Sequence, residues 1–442
     1  MTRLQPRSPL AMLRRTAAAV CLAWAGAAGL SVAMAQTPPA LTLPPVLPPA
    51  ETVMQVLSQL PQVRAASAGV PLAQARNQRL EAGPHDWVAK AGTNRRTERQ
   101  GPSFSEAEVA LETGVRWPAK AAADRQLGAS EIQLGELALA VAWHEAARGL
   151  LTAWFDALRD VRTASILQEQ ARLVTQQMAT TERRVAAGEA ATLELLAAQA
   201  EAARVDALAA RAQGQLQVRL QALERLYPGL PKPLDMGATG SPLWSAAPPA
   251  ADFTAAQWAT KILDDNHELE LAQAKAEQAR LQAQRATLER RGDPTVGVRA
   301  SRERGGQERV LGVYVSIPLG SAGRRADAQA ALAQADMAEQ ELAQKRVRIE
   351  ADAWRTASEL EQARHTREQL QRAQAQIERS AQLQARAYTL GESPLVDLLL
   401  ARRNALEAQL AADSAALDEQ QSYARLLLDS HSLWAAPGAH GH

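Results

Sequence analysis

Cysteine is nearly absent from this sequence: there is one in 442 residues, Cys21, and it falls in a stretch read below as a removable leader. Beyond that leader there is no thiol, which excludes disulfides and thiolate metal sites. An excess of charge of one sign is also missing. The chain carries 49 basic and 48 acidic groups, and removing the leader's four arginines leaves 45 against 48, a net charge of −3. That is no electrostatic footprint for nucleic acid, nor for a polybasic membrane-surface binder. Long apolar runs are lacking too. After Gln36 no stretch reaches the roughly 18 residues that a spanning helix needs. Periplasmic, secreted and β-barrel proteins stay open, because barrel strands alternate lipid-facing with lumen-facing residues and give a weak hydropathy signal. Catalytic signatures are missing as well. There is no nucleophile motif, no phosphate-binding glycine loop and no acid/base pair, so neither an enzyme nor a cofactor is expected. His85, His144, His267, His365 and His431 are scattered. His440-Gly441-His442 reads as a polar tail, since a functional metal site needs more ligands and a supporting shell.

What is present begins with an address. Arg3, Arg7, Arg14 and Arg15 form a basic start, Ala17 to Leu30 is apolar, and Ala33-Met34-Ala35 precedes Gln36. This pattern predicts a secretory signal peptide over residues 1–35. Cys21 has no leucine three residues before it, so it reads as a removed residue and not a lipid anchor. Residues 36–50 form a proline-rich linker. A second Pro/Gly-rich segment, 228–252, separates two similar parts, 51–227 and 253–434, and 435–442 is a flexible tail. Each part runs in the same order: a short helix (51–82 and 254–291), two strands, a very long helix, a glycine turn and a second helix. Three landmarks repeat. Leu60-Pro61-Gln62-Val63 matches Asn266-His267-Glu268-Leu269, Trp117-Pro118 matches Ile317-Pro318, and Gly188-Glu189 matches Gly391-Glu392. Offsets this constant indicate an old duplication.

The strands alternate with period 2. In 108–118, Val109, Leu111, Val115 and Trp117 face away from Glu108, Glu112 and Arg116; a weaker run passes through Trp87, Ala89 and Ala91. In the second part, 295–303 and 308–319 flank Gly305-Gly306, which suits a tight hairpin turn. Trp87, Trp117 and Tyr314 are placed to form an aromatic girdle, while Trp143, Trp154 and Trp354 read as helix-packing residues. Between Arg324 and Leu390 lie 67 residues without glycine or proline, enough for a helix of roughly 100 Å. Residues 119–187 resemble them, with Gly128, Gly135 and Gly149 as interruptions. Leu399 and Leu406, with Leu410 and Leu417, form an a/d seam. Four strands cannot close alone in lipid, because open edges cost several kcal/mol per unpaired group. Copies must therefore associate, with helices projecting from one rim and the glycine turns at the far end.

Two motifs then carry a resemblance. Gly312-Val313-Tyr314-Val315-Ser316-Ile317-Pro318-Leu319 precedes Gly323-Arg324-Arg325, and Tyr388-Thr389-Leu390-Gly391-Glu392-Ser393 precedes Leu395-Val396-Asp397-Leu398-Leu399. With the duplicated plan, they make the chain resemble the TolC-like outer-membrane factor family. The resemblance implies a mainly α fold with a β-barrel part. Long helical hairpins form a periplasmic α-barrel, and four transmembrane strands per chain close as a homotrimer into a twelve-stranded barrel in outer-membrane lipid. It implies a periplasmic adaptor and an inner-membrane pump as partners, the pump of resistance-nodulation-division type. The adaptor would contact Ala187, Gly188, Glu189, Leu193, Leu390, Gly391, Glu392, Ser393 and Leu395. Glu194 and Asp397 would ring a constriction, or else stabilise helix N-termini. A second ring, one turn on, is missing, since Leu400 stands there. The junction Trp117-Pro118-Ala119-Lys120 leans towards the heavy-metal-efflux branch, with drug efflux and protein secretion as the other cargoes. A periplasmic adaptor or a coiled-coil structural protein is the competing class, and the duplication and paired hairpins argue against both.

Overall fold

The computed structural model describes residues 44, 46–233 and 253–436. The expected signal peptide, most of the linker before Ala50, most of segment 228–252 and the histidines of the tail lie outside the described residues. The first part comprises α1 (Ala50–Gln59), α2 (Pro61–Ala82), β1 (Trp87–Thr97), β2 (Ser103–Gly114), α3 (Pro118–Ala186) and α4 (Thr192–Leu226). The second comprises α5 (Ala255–Asp264), α6 (His267–Glu289), β3 (Thr295–Glu303), β4 (Glu308–Ser316), α7 (Ala322–Thr389) and α8 (Leu395–Asp429). The two parts share one order of elements. The first landmark pair marks the break between the two short helices in each part, at Leu60 and at Asn266.

Pro118 opens α3, where a fixed φ suits the first turn and the missing N–H is not needed. Gly128, Gly135 and Gly149 do not interrupt this helix; it runs unbroken for 69 residues. The first two have another role. A Cβ on Gly128 would collide with Asn77, and one on Gly135 would meet the Cβ of Ala73 at 3.2 Å, both on α2. Glycine lets the short helix lie close against the long one. In the second part the helix does not start at Pro318. It starts at Ala322, because Ser321 supplies the cap: its hydroxyl accepts from the Arg324 N–H at 3.2 Å.

All four strands form one antiparallel sheet in the order β1-β2-β3-β4, so the two hairpins are joined through β2 and β3. Strand β2 stops at Gly114, short of 118. Val115 still donates to Pro294 at 2.7 Å, but Pro294 has no N–H to return and the ladder ends there. Strand β4 likewise stops at Ser316, short of 319. The turn between β3 and β4 holds positive φ at Arg304, Gly305 and Gly306.

The main core sits where α1, α3, α5 and α8 meet. Leu57, Trp154, Phe155, Trp258 and Tyr423 are fully buried there. The Trp154 indole donates to the Val46 carbonyl at 2.8 Å, and Trp143 donates to Trp434 at 2.9 Å, so both ends of the described chain are pinned to α3. Trp354 departs from expectation: it is exposed on α7. Along α8, Leu399, Leu406 and Leu417 of the expected seam are buried, with Leu410 partly buried beside them.

Candidate functional site

Pairing register divides the sheet into two faces, since directly opposed residues point the same way. One face carries the rows Trp87–Thr113–Val296–Val315, Ala89–Leu111–Val298–Val313 and Ala91–Val109–Ala300–Leu311. Leu311, Val313 and Val315, followed by Ile317 and Leu319, are exposed at 83%, 84%, 63%, 62% and 87%. Extended, that run reaches roughly 27 Å, matching the apolar band of about 25 Å on a membrane barrel. The opposite face is polar: Lys90, Arg96, Glu106, Glu108, Glu112 and Arg299 lie there. Lys90 pairs with Glu112 at 2.5 Å and Arg96 with Glu106 at 3.0 Å. Tyr314 belongs to this polar face and donates to Glu112. It is therefore not part of an aromatic girdle, whereas Trp87 lies on the apolar face and Trp117 at its rim.

A buried charge network fixes the joint between sheet and helices. Lys120 is almost fully buried and pairs with Asp293 at 2.9 Å and Glu289 at 3.0 Å. His85 meets Asp293 at 2.8 Å, and Asp124 joins Arg116 at 2.8 Å to Arg285 at 2.6 Å. Lys120 and Asp124 thus tie the start of α3 to α6 and the segment after it, and His85 ties the segment before β1 to the same place.

At the other end, the two glycine turns are built alike. Gly188 and Gly391 both have φ of +77°. Their N–H groups bond to Val185 and Tyr388 at 3.0 and 3.1 Å, and those of Glu189 and Glu392 bond back to Arg184 and Ala387 at 2.8 and 2.9 Å. This is a Schellman closure, which needs a left-handed residue that glycine adopts without strain. Arg184 donates to the Tyr388 hydroxyl at 2.6 Å, tying the two turns together. Ala187, Gly188, Glu189, Leu193, Leu390, Gly391 and Glu392 are exposed. Ser393 is half-buried and accepts from Gln384. Leu395 is fully buried with Ala198, Leu398 and Leu399, so it supports the turn from inside. Leu196, Val396 and Leu400 are also exposed beside the turns; their position outside the buried seam was the signal that sequence reading passed over.

Glu194 and Asp397 occupy the same place, the third residue of α4 and of α8. Their surroundings differ. Asp397 is exposed along a groove with Leu400, Asn404 and Glu407, whereas Glu194 is half-buried and its Oε2 lacks a hydrogen-bond partner.

The sequence also gave no hint that three histidines meet. His144 on α3, His267 at the start of α6 and His431 just after α8 bring their rings to 5.2 and 4.3 Å. His144 contacts Asp429 at 3.2 Å and His267 contacts Glu270 at 3.0 Å. Burial, then the neighbouring His267 and His144, push the His431 pKa down to about 4. Burial alone would raise the pKa of Asp429. The hydrogen bond from His144 and the charges of Arg148 and Arg425 outweigh it and hold this carboxyl well below the usual range. Among the described residues, no group of three His, Cys, Asp or Glu side chains is arranged to hold a metal ion. The histidines instead clasp the segment after α8.

The same arrangement recurs in solved structures. The outer membrane protein VceC of Vibrio cholerae superposes with a TM-score of 0.69 at 17% identity, over 88% of this chain and 96% of VceC. The outer-membrane channel OprN gives 0.71 at 18% identity, over 89% and 91%. The chain has the outer-membrane channel fold. The CmeC outer membrane channel of Campylobacter jejuni shares it too, at 0.69 and 14% identity over 86% and 84%. No family model matches the sequence, and no curated protein does. The channel fold is thus carried by architecture with little sequence in common.

Proposed function

We propose that the chain is the exit duct of a tripartite efflux system, inserted in the outer membrane as a homotrimer. The observation that carries this reading is the exposed apolar face on a four-stranded sheet whose outer strands, β1 and β4, have open edges. Water would oppose such a face, and lipid would oppose such edges. Joining β4 of one copy to β1 of the next removes both conflicts, and three copies give a barrel of twelve strands. The charged inner face then lines a wet lumen, and the long helices continue it into the periplasm. The exposed turns at Gly188 and Gly391 would meet a periplasmic adaptor, which couples the duct to an inner-membrane pump of resistance-nodulation-division type. A duct of this kind performs no chemistry, and the pump selects the cargo.

Asp397, exposed in each copy, supports a constriction that favours cations, and divalent heavy-metal cations suit it as cargo. A growth panel on a strain lacking the gene tests this. Hypersensitivity to cobalt, zinc, cadmium or copper, restored by the intact gene, is the expected result. Sensitivity confined to hydrophobic drugs would reassign the duct to drug efflux.

A further inference from the structure

The joint below the sheet holds a groove that passage through a duct does not require. It lies where β2 gives way to α3 and α6 gives way to β3. Its volume is about 370 Å³, and Trp117, Pro118, Lys120, Leu288, Arg290 and Arg291 line it. The cations in this groove are not equivalent. Lys120 is committed to Asp293 and Glu289. Glu289 also holds Arg285, and Asp293 also holds His85, so the nearby carboxylates are taken. Arg290 and Arg291 are exposed, and among the described residues neither side chain forms an ion pair. Arg291 lies over the Trp117 ring at 4.7 Å from its centre. Arg324 of the Gly323-Arg324-Arg325 motif packs against Gly292, and its buried Nη1 has no acceptor. The rim therefore carries guanidinium groups in excess of its own acids.

Position selects the occupant. Val115, Ile317 and Leu319 bring the exposed apolar surface down to this level. Tryptophan and arginine at that level suit the boundary between acyl chains and headgroups. Strands β2 and β3 are the central pair, so the groove sits below the middle of the sheet, away from the edges that meet other copies.

We propose that this groove binds an anionic phospholipid of the membrane leaflet nearest the helices. Its phosphate is held by Arg290 and Arg291, whose planar guanidinium groups match phosphate oxygens in pairs. One acyl chain lies along Trp117, Pro118 and Leu288. The assignment rests on the proposed membrane location of the sheet.

Native mass spectrometry of the detergent-extracted assembly, titrated with phosphatidylglycerol or phosphatidylethanolamine, tests it. The intact protein should retain phosphatidylglycerol preferentially, and the double variant R290Q/R291Q should bind it about tenfold more weakly. Inorganic phosphate at the same concentration should not displace the lipid. Equal retention by both proteins, each extracted as the same membrane assembly, would overturn the lipid site and leave the duct intact. Displacement by inorganic phosphate would overturn the role of the acyl chain, and with it the assignment. Failure of the intact protein to fractionate with the outer membrane would overturn the duct, and the lipid site with it.

Discussion

A histidine held near pKa 4 records what its surroundings cost a proton. His431 refuses in the folded chain a proton that an unfolded histidine accepts below about pH 6.5. Its contribution to stability is therefore complete above that pH and is lost as pH falls towards 4. At pH 5 the loss is at most ~2 kcal/mol, and nearer ~1 after solvent screening of a partly exposed ring. Asp429 has the same sign but acts lower on the pH scale. Its depressed pKa adds stability above the ordinary carboxylate range, lost only in stronger acid, so it does not contribute between pH 7 and 5. Thermal unfolding at pH 7 and pH 5 should thus show a fall that H431N reduces, asparagine being tolerant of the positive φ at this position. An unchanged fall in the variant would count against the histidine. None of this was legible in the sequence. The three rings come from separate elements, and no spacing links positions 144, 267 and 431. The glycines at 188 and 391 were legible, because a positive φ after a long helix is a local demand that glycine meets without strain. G391A should cost about 1–2 kcal/mol, seen as faster amide exchange in the last turn of α7 with the sheet unaffected. Unchanged exchange there would remove the strain argument.

Among the elements, the strands were the most legible, since parity alone sorts a strand into faces. The run 308–319 already separates Tyr314 from Val313 and Val315, and the polar face of Tyr314 follows from that alternation, not from its aromatic character. Strand ends were less legible. Where β2 stops depends on Pro294, a residue from the other repeat that pairs across it. Helix interruptions were misjudged for a related reason: Gly128 and Gly135 of α3 answer to α2 lying against them, a tertiary fact. Face assignment yields a paired test. V313R places a charge on the apolar face and should cost about 2–4 kcal/mol in lipid, reducing the yield of membrane-extracted assembly measured on native gels. S301R, on the polar face beside Glu108, should leave that assembly intact. Equal effects from the two substitutions would contradict the division of faces.

For the whole molecule, the open edges of β1 and β4 call for more than one copy. The chain presents an apolar band, two open edges and a charged opposite face, and copies joined edge to edge satisfy all three together. Helices of 69 and 68 residues then extend away from the band to the two matched turns. The duplicated order of elements, legible from Pro118, Gly188, Pro318 and Gly391, set this architecture out in advance. The number of copies was not legible, because it depends on curvature between strands of different chains. The most direct test is the native mass of the assembly extracted from the outer-membrane fraction. Three chains in one complex is the predicted result. A single chain recovered from the soluble periplasm, or a complex of two or four chains, would contradict it.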